Sequence, residues 1–361
     1  MITKLKKRRR EWRQTILIII LLCVTFWELA GHWVWFLRSP VNVTPGGCTR
    51  FLLVGDPQIQ GYYGEPGGIF GFLTRWDVYS YLQSYVAAGY RLSQPDEVVF
   101  LGDLLDEGST ASDDEFSSYA GAFHQLFPWS QMPRQIFVAG DNDIGGEGMH
   151  DYISKGKVRR FSMHFRPVNG NKTAKNGVSL IWINSMALSY RYMTDPDVQE
   201  EALDFLKSLA QRRNASPSTA RPGVLFSHLP LEEMSRRRLL AELGINTVFS
   251  AHTHDFSTAV YSRGGLRTGP RDATWDGRHV MQVTFDEATL PCYAAGECVL
   301  SVSVPTVSYR MGKSSMALSV VDIDAAGRVQ NLIVLPLPPR YPVLIGYLVL
   351  AVLCCVCATC F

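Results

Sequence analysis

The segment Glu97-Val98-Val99-Phe100-Leu101-Gly102-Asp103 joins a short run of apolar residues to a glycine and a carboxylate. A run of β-branched and aromatic residues that ends at a turn residue is typical of a buried β-strand. The pattern recurs in Arg50 to Val54, which precede Gly55-Asp56, and in Gln135 to Ala139, which precede Gly140-Asp141. The sequence therefore predicts three strands that each end at a glycine followed by an aspartate.

Strands and helices alternate along the middle of the chain. Further strands are predicted at Val178 to Asn184, Val224 to Ser227 and Thr247 to Ser250, and helical spacing is found at Leu73 to Tyr90, Asp114 to Phe127, Val198 to Arg212 and Leu231 to Leu243. Strand-like runs without long helices follow at Ala259 to Ser262, His279 to Phe285, Val299 to Val304, Ala317 to Ile323 and Val329 to Leu335. This order predicts a single α/β domain over residues 48–335, whose second half adds antiparallel strands.

Both ends of the chain are apolar. Residues 15–37 contain one charged residue, Glu28, and one histidine, His32, and residues 341–361 contain no charged residue. At about 1.5 Å per residue, each segment is long enough to cross a bilayer as a helix. We therefore predict a transmembrane helix at each end. A cleaved signal peptide is the alternative for the first, and a lipid-anchor signal or a buried helix for the second.

Charge predicts which side of the membrane the domain occupies. Seven Lys and Arg lie in the first thirteen residues, so residues 1–14 are expected in the cytosol and the domain in a lumen. The remainder has 28 Lys and Arg against 32 Asp and Glu, which argues against a nucleic-acid partner. Glycosylation sequons begin at Asn42, Asn171 and Asn214, and Cys292 and Cys298 could pair in an oxidising compartment.

Polar residues follow the predicted strands at their carboxyl ends, where α/β sheets bind ligands. Three predicted strands are followed by the glycine-aspartate pairs, and two more are followed by Ser227-His228 and by His252-Thr253-His254. Carboxylate and imidazole groups are suitable ligands for manganese, iron or zinc. The sequence therefore predicts a site for two metal ions, formed by Asp56, Asp103, Asp141, His228, His252 and His254.

These motifs resemble those of the calcineurin-like metallophosphoesterases. Gly55-Asp56-Pro57-Gln58, Leu101 to Gly108 and Asp143-Ile144-Gly145 are similar to the branch that removes ethanolamine phosphate from glycosylphosphatidylinositol (GPI) anchors. The resemblance covers residues 48–335 and implies an αββα sandwich with a lumenal catalytic domain between two membrane spans. It also implies residence in the endoplasmic reticulum or Golgi membrane, and a membrane-attached phosphodiester glycolipid or GPI-anchored protein as partner.

The resemblance also implies roles for single residues. Asp103 would bridge two divalent ions, with manganese expected and zinc or iron as alternatives. The first ion would be held by Asp56, Gln58 and His254, and the second by Asp141, His228 and His252. Asp103, Asn142, Asp143 and His228 are the implied catalytic residues.

Three positions depart from the family pattern. Gln58 stands where most members have a histidine, and its carbonyl is a weaker ligand that favours an oxygen-preferring ion such as manganese. Asp141 replaces the usual asparagine and adds a negative charge. Asn142 replaces the histidine that protonates the leaving group, so the proton would have to come from metal-bound water or from Asp143.

The expected activity is hydrolysis of a phosphodiester by a metal-activated hydroxide, without a nucleophilic side chain. Two alternatives stay open. The first is a catalytically weak or silent metal-binding cargo or trafficking receptor of the same fold, which the departures at Gln58 and Asn142 favour. The second is a general lumenal phosphatase or nucleotidase.

Overall fold

The structure is a computed structural model, which describes residues 2–39, 41–64, 66–128, 134–148, 151–215, 221–234, 243–268 and 275–360. The chain forms two compact units, one of residues 41–337 and one of residues 1–40 and 338–361.

The strands are β1 (Thr49–Val54), β2 (Glu97–Phe100), β3 (Arg134–Phe137), β4 (Gly170–Thr173), β5 (Ser179–Trp182), β6 (Gly223–Phe226), β7 (Ile245–Ser250), β8 (Ser257–Ser262), β9 (Met281–Val283), β10 (Cys298–Ser303), β11 (Ala317–Ile323) and β12 (Val329–Pro336). The helices are α1 (Ile2–Arg38), α2 (Ile69–Ser93), α3 (Asp113–Leu126), α4 (Asp141–Ile144), α5 (Lys155–Phe165), α6 (Pro196–Ala215), α7 (Pro291–Ala294) and α8 (Arg340–Cys360).

The larger unit contains two mixed sheets of six strands each. The first has the order β3-β2-β1-β11-β12-β9, and the second has the order β4-β5-β6-β7-β10-β8. Strands β1, β2 and β3 are parallel to one another, as are β5, β6 and β7. Their carboxyl ends therefore gather at one edge of each sheet, and this arrangement confirms the α/β fold.

The core lies between the two sheets. Phe51 and Leu53 of β1 belong to one buried apolar cluster with Phe226 of β6 and Phe249 of β7. The rings of Phe51 and Phe226 meet across the sandwich with their centroids 5.8 Å apart. Alternating apolar residues on facing strands thus hold the sheets together.

Helices cover the outer face of the first sheet. Phe123 of α3 packs edge-on against Phe100 of β2, with ring centroids 5.1 Å apart, and against Phe165 of α5 at 5.3 Å. Helix α3 begins with a capping box, in which Ser112 Oγ accepts from the Glu115 amide and Glu115 accepts from the Ser112 amide.

Every predicted strand lies in one of the two sheets, and the helices predicted after β1, β2 and β5 are confirmed as α2, α3 and α6. The predicted helix Leu231 to Leu243 lies mostly outside the described residues, and its first residues form a 3-10 turn, Leu231–Glu233. The predicted antiparallel strands of the second half are confirmed for β8, β9, β11 and β12, whereas β10 is antiparallel to β8 but parallel to β7.

The smaller unit contains α1 and α8. Arg340 donates from both terminal guanidinium nitrogens to Glu28, at 2.8 and 3.0 Å, and the Tyr347 hydroxyl donates to the same carboxylate. None of the helices, as far as their residues are described, combines the length and the apolar character needed to cross a membrane. The spans predicted at 15–37 and 341–361 are therefore not confirmed.

Candidate metal centre

The predicted ligands come from loops of both sheets. Asp56 and Asp103 follow β1 and β2 of the first sheet, and Asp141 opens α4 just after β3. His228 follows β6 of the second sheet, and His252 follows β7. Two hydrogen bonds join the loops across the sandwich: the His252 amide donates to Asp56 Oδ1 at 3.1 Å, and His228 Nδ1 lies 2.9 Å from the Leu101 carbonyl oxygen.

Most of these residues have an unusual backbone conformation. A positive φ is uncommon outside glycine because Cβ then crowds the neighbouring carbonyl. Among the described non-glycine residues, seven have a positive φ, and five of these are predicted ligands: Asp56 (43°), Gln58 (39°), Asp103 (49°), His252 (64°) and His254 (61°). Strained conformations of this kind concentrate at functional sites, because the surrounding structure must enforce them.

One group of ligand atoms forms a tight triangle. Asp141 Oδ1 lies 2.9 Å from His228 Nε2 and 3.3 Å from His252 Nδ1, and the two histidine nitrogens are 3.2 Å apart. Nitrogen and oxygen ligands that bind one transition metal at about 2.0–2.2 Å lie roughly 3 Å from each other. The spacing of these three atoms therefore fits a single bound cation.

Asp56, Asp103 and His228 form a second group, and one ligand atom of each lies within 4.8 Å of the others. All three side chains are buried, and Asp103 Oδ1 is 3.4 Å from His228 Nε2. Asp56 Oδ2 is buried and has no hydrogen-bond partner in the described part of the chain. A buried carboxylate without a hydrogen-bond partner is stabilised by a proton or by a neighbouring positive charge, and a cation bound to this group would supply that charge.

The charges of the centre are strongly interdependent. Burial raises the pKa of Asp56 well above its usual value and raises the pKa of Asp103 to about 6. Burial acts in the same direction on Asp141, but hydrogen bonds from His228 and His252 outweigh it and lower the pKa of Asp141. Burial disfavours the charged form of His228, yet Asp103 and Asp141 raise its pKa. Three carboxylates enclosed together need added positive charge, which divalent ions would supply.

Gln58 and His254 lie at the margin of the centre. Gln58 Nε2 donates to Asp103 Oδ2 at 3.0 Å, so its amide nitrogen orients the carboxylate that was expected to bridge the ions. Burial, followed by the charges of His228 and His252, lowers the pKa of His254 to about 4. Its imidazole is thus held neutral, which is the form that binds metals. Ligation by either residue stays a prediction.

Asn142 and Asp143 are tied into the backbone. The Asn142 amide donates to Asp103 Oδ1 at 3.0 Å. The Asp143 carboxylate is fully buried and accepts from the amides of Leu104, Leu105 and Gly140, at 3.2, 3.0 and 2.9 Å. Burial, and next the charge of Asp103, raises the pKa of Asp143 to about 8. The three amide contacts anchor Asp143 to the loops after β2 and β3, and its role as a proton donor stays a prediction.

The sequence reading missed Tyr192. Its hydroxyl oxygen lies 3.4 Å from His252 Nε2, beside the ligand triangle. Tyr192 belongs to an irregular segment between β5 and α6 that carries no recognisable motif. No signal in the sequence distinguishes it from the neighbouring Tyr190.

Two facing mixed sheets, with carboxylates from the first and imidazoles from the second, define an α/β sandwich with two groups of side chains that could each hold a metal ion. Residues 49–256, more than half of the chain, match the calcineurin-like phosphoesterase family. The chain belongs to this family, as the strand-end motifs predicted.

Several curated proteins are similar to the chain. Cell division control protein 1 of Saccharomyces cerevisiae is 29% identical over 192 residues, which are 50% of this chain and 35% of that protein. The Metallophosphoesterase 1 homolog of Drosophila melanogaster is 34% identical over 102 residues, covering 28% of this chain and 26% of the relative. Metallophosphoesterase 1 of Mus musculus is 23% identical over 256 residues, 58% of this chain and 62% of the relative.

The chain thus spans less than two thirds of the length of each of these relatives. Among solved structures, a dimetal phosphatase from Danio rerio aligns with a TM-score of 0.47 and 11% identity, over 80% of this chain and 99% of that one.

Proposed function

We propose that the chain is a metal-dependent phosphodiesterase that removes ethanolamine phosphate from a mannose of a GPI anchor. The observation that carries the proposal is the convergence of carboxylates and imidazoles from both sheets, with Asp56 Oδ2 buried and unpartnered. The strand-end motifs resemble the GPI-directed branch, and relatives named Metallophosphoesterase 1 match the chain. The substrate class is then a phosphodiester on a membrane-attached glycolipid or on a GPI-anchored protein.

The residues divide into two sets of ligands with one shared member. As the resemblance implies, Asp56, His254 and the Gln58 carbonyl would hold one ion, Asp141, His228 and His252 the other, and Asp103 both. The structure also brings His228 close to Asp56 and Asp103. Bound manganese, zinc or iron would acidify a water molecule and offset the negative charge that develops on the phosphate during in-line displacement. Manganese fits best, because four of the seven ligands are oxygen donors.

The chain's own contribution is to orient the ligands in advance. Asp103 accepts from Gln58 Nε2 through one oxygen and from the Asn142 amide through the other, so its carboxylate cannot rotate freely. The Leu101 carbonyl accepts a hydrogen bond from His228 Nδ1–H, which leaves the lone pair of Nε2 directed toward the centre. Fixed ligands of this kind bind metal without first losing side-chain freedom.

Leaving-group protonation is the weak step of this site. An asparagine amide donates hydrogen bonds but does not transfer a proton at neutral pH. Asn142 can therefore bind a phosphoryl oxygen, whereas the departing alkoxide has to take its proton from water. We expect turnover to be slower than in a site with a histidine at this position.

An exposed aromatic surface is formed by the chain that follows Gln58. It consists of Tyr62 and Tyr63 in the loop after Gln58 and of Phe70 and Trp76 in the first turns of α2, with exposed fractions of 52%, 76%, 70% and 55%. The loop is attached to α2, because the Arg75 guanidinium stacks on the Tyr62 ring at 4.8 Å and the Tyr79 hydroxyl donates to the Gln60 carbonyl. Aromatic and cationic residues together suit the headgroup region of a bilayer, which supports a substrate held at a membrane.

We also propose that the chain is anchored in the membrane of the endoplasmic reticulum or Golgi, as the resemblance implies. Glu28 interrupts the apolar residues 15–37, and a lone carboxylate is costly in lipid. Glu28 is paired with Arg340 through two hydrogen bonds, and the two charges neutralise each other. This pairing lowers the cost of placing Glu28 in a membrane-spanning helix. The proposed topology places residues 1–14 in the cytosol and the catalytic domain in the lumen.

The proposal is tested with the purified full chain in detergent and manganese, offered a GPI glycolipid bearing ethanolamine phosphate. We expect release of ethanolamine phosphate by the wild type and by His279→Ala, whose side chain is 83% exposed, and no release by Asp103→Ala. Normal turnover by Asp103→Ala would refute the metal-centre mechanism. Hydrolysis of soluble nucleotides with indifference to the glycolipid would instead support a general phosphatase.

A second candidate follows from Asn142. If the proton-transfer residue is absent, the site can bind metal and substrate without turning it over, and the chain would serve as a cargo or trafficking receptor. In that case the purified protein with manganese would cleave no phosphodiester. Asp103→Ala would then retain export of GPI-anchored cargo in cells, whereas the enzyme proposal expects export to depend on Asp103.

A further inference from the structure

The two histidines of the ligand triangle, His228 fully buried and His252 partly buried, each have a hydrogen-bond partner at the ring nitrogen that faces away from it. His228 places Nε2 in the triangle and Nδ1 2.9 Å from the Leu101 carbonyl oxygen. His252 places Nδ1 in the triangle, and its Nε2 lies 3.4 Å from the hydroxyl of Tyr192. Tyr192 thus occupies, for His252, the position that the Leu101 carbonyl occupies for His228.

The ring of Tyr192 sits in a slot that a glycine provides. Gly146 has a φ of 122°, and a Cβ there would lie 2.3 Å from Tyr192 Cδ1 and 3.4 Å from Asp141 Cβ. The aromatic ring therefore lies directly against the turn that carries Asp141, another member of the triangle. No side chain larger than hydrogen fits between them.

The backbone around Tyr192 is also held in place. The Ile153 amide donates to the Met193 carbonyl at 2.9 Å, and the Asp195 amide donates to the Ile153 carbonyl at 2.9 Å. This pair of hydrogen bonds encloses Thr194 and fastens the segment next to Tyr192. These backbone hydrogen bonds therefore help to hold the Tyr192 hydroxyl next to His252.

We propose that Tyr192 is a positioning residue, whose hydroxyl accepts a hydrogen bond from His252 Nε2 and holds Nδ1 as the ligand of the second ion. A histidine that binds metal through one nitrogen must carry its proton on the other, and a partner there fixes both the tautomer and the ring orientation. The inference rests on the proposed metal centre. It adds a residue from the segment between β5 and α6 to a site otherwise built from strand-end motifs.

Tyr192→Phe is the direct test, because it removes the hydroxyl and leaves the ring in its slot. We expect manganese affinity at the second site to fall by roughly tenfold to a hundredfold, with affinity at the first site unchanged. The matched control is Tyr190→Phe, two residues away and 79% exposed, which should bind both ions as the wild type does. Equilibrium dialysis measures the two affinities, and electron paramagnetic resonance distinguishes a spin-coupled manganese pair from a single ion.

The outcomes separate this inference from the proposed function. If the wild type binds neither manganese, zinc nor iron, the metal centre itself fails, and the proposed role of Tyr192 fails with it. If the wild type and Tyr192→Phe bind two ions with equal affinities, only the role of Tyr192 is refuted. Gly146→Ala provides a second measurement: displacing the ring should weaken the same site, and adding Tyr192→Phe to it should bring little further loss. If the two substitutions instead reduce manganese affinity independently, so that the double variant shows the product of the two single losses, the inference is also overturned.

Discussion

Gly102 and His228 approach each other so closely that a Cβ on Gly102 would lie 2.3 Å from His228 Nδ1. Gly102 precedes the bridging candidate Asp103 in the first sheet, whereas His228 follows a strand of the second sheet. The glycine therefore lets the two sheets close at the metal edge. It also has a φ of 95°, which a side chain rarely tolerates.

Gly102→Ala should therefore lose both metal and stability. The methyl group must displace the fully buried His228, and the backbone strain adds about 1–3 kcal/mol. Denaturant unfolding and metal analysis measure the two effects. The control is Gly121→Ala within α3, where a Cβ would meet nothing within 4 Å and where the change should be neutral or stabilising. Equal stability of the two variants would contradict this explanation.

Asp322→Asn should destabilise the fold by about 3–5 kcal/mol, because it leaves a buried guanidinium without a counter-charge. Arg50 and Asp322 are paired across β1 and β11 by two hydrogen bonds of 2.7 Å, and both side chains are almost completely buried. Asp204→Asn removes one partner of an exposed pair with Lys207 and should change stability by less than about 1 kcal/mol. Chemical denaturation compares them, and a small effect at Asp322 would count against a structural role for the pair.

Removal of divalent ions should lower the melting temperature of the chain. A ligand that binds only the folded state stabilises it, by about 2.7 kcal/mol at a hundred times its dissociation constant. Adding manganese after chelation should restore the transition in the wild type but not in Asp103→Ala. Calorimetry with and without manganese measures this, and a melting temperature indifferent to metal in the wild type would exclude a stabilising centre.

Trp76→Ala should impair turnover of a substrate presented in vesicles and spare a soluble phosphodiester. The side chain is 55% exposed, so its removal should leave the melting temperature almost unchanged. We expect KM for the vesicle substrate to rise several-fold with kcat retained, whereas Leu266→Ala, 74% exposed on the loop after β8, should have no effect. A parallel rise for both substrates would show that Trp76 acts within the centre instead.

The metal centre was predictable because its ligands are marked locally. Asp56, Asp103 and Asp141 each follow a glycine at a strand end, and parallel strands bring such ends together wherever the sheets form. Tyr192 was not predictable by the same means. Its position depends on the path of an irregular segment, and that path is determined by contacts with Ile153 and Gly146 that lie distant in sequence.

The local sequence pattern also did not reveal α5. Helix α5 has buried Val158, Phe161 and Phe165 at helical spacing, but intervening basic residues obscured the pattern. Strand β4 is polar and lies at the edge of its sheet, where, among the described strands, it pairs with β5 alone. Its strand conformation depends on this pairing and not on its own sequence, so the sequence did not predict it. For Asp143, the sequence does not show the three backbone amides that donate to its carboxylate, and its role as an acid stays a prediction.

The left-handed backbone at the ligands has an evolutionary and engineering consequence. Glycine at Gln58, where φ is 39°, would relax the chain, yet it would also remove the amide that steadies Asp103. Selection for thermal robustness and selection for chemistry therefore pull in opposite directions at these positions. Variants selected in the laboratory for thermal stability should therefore lose activity when the stabilising substitution falls at one of these positions.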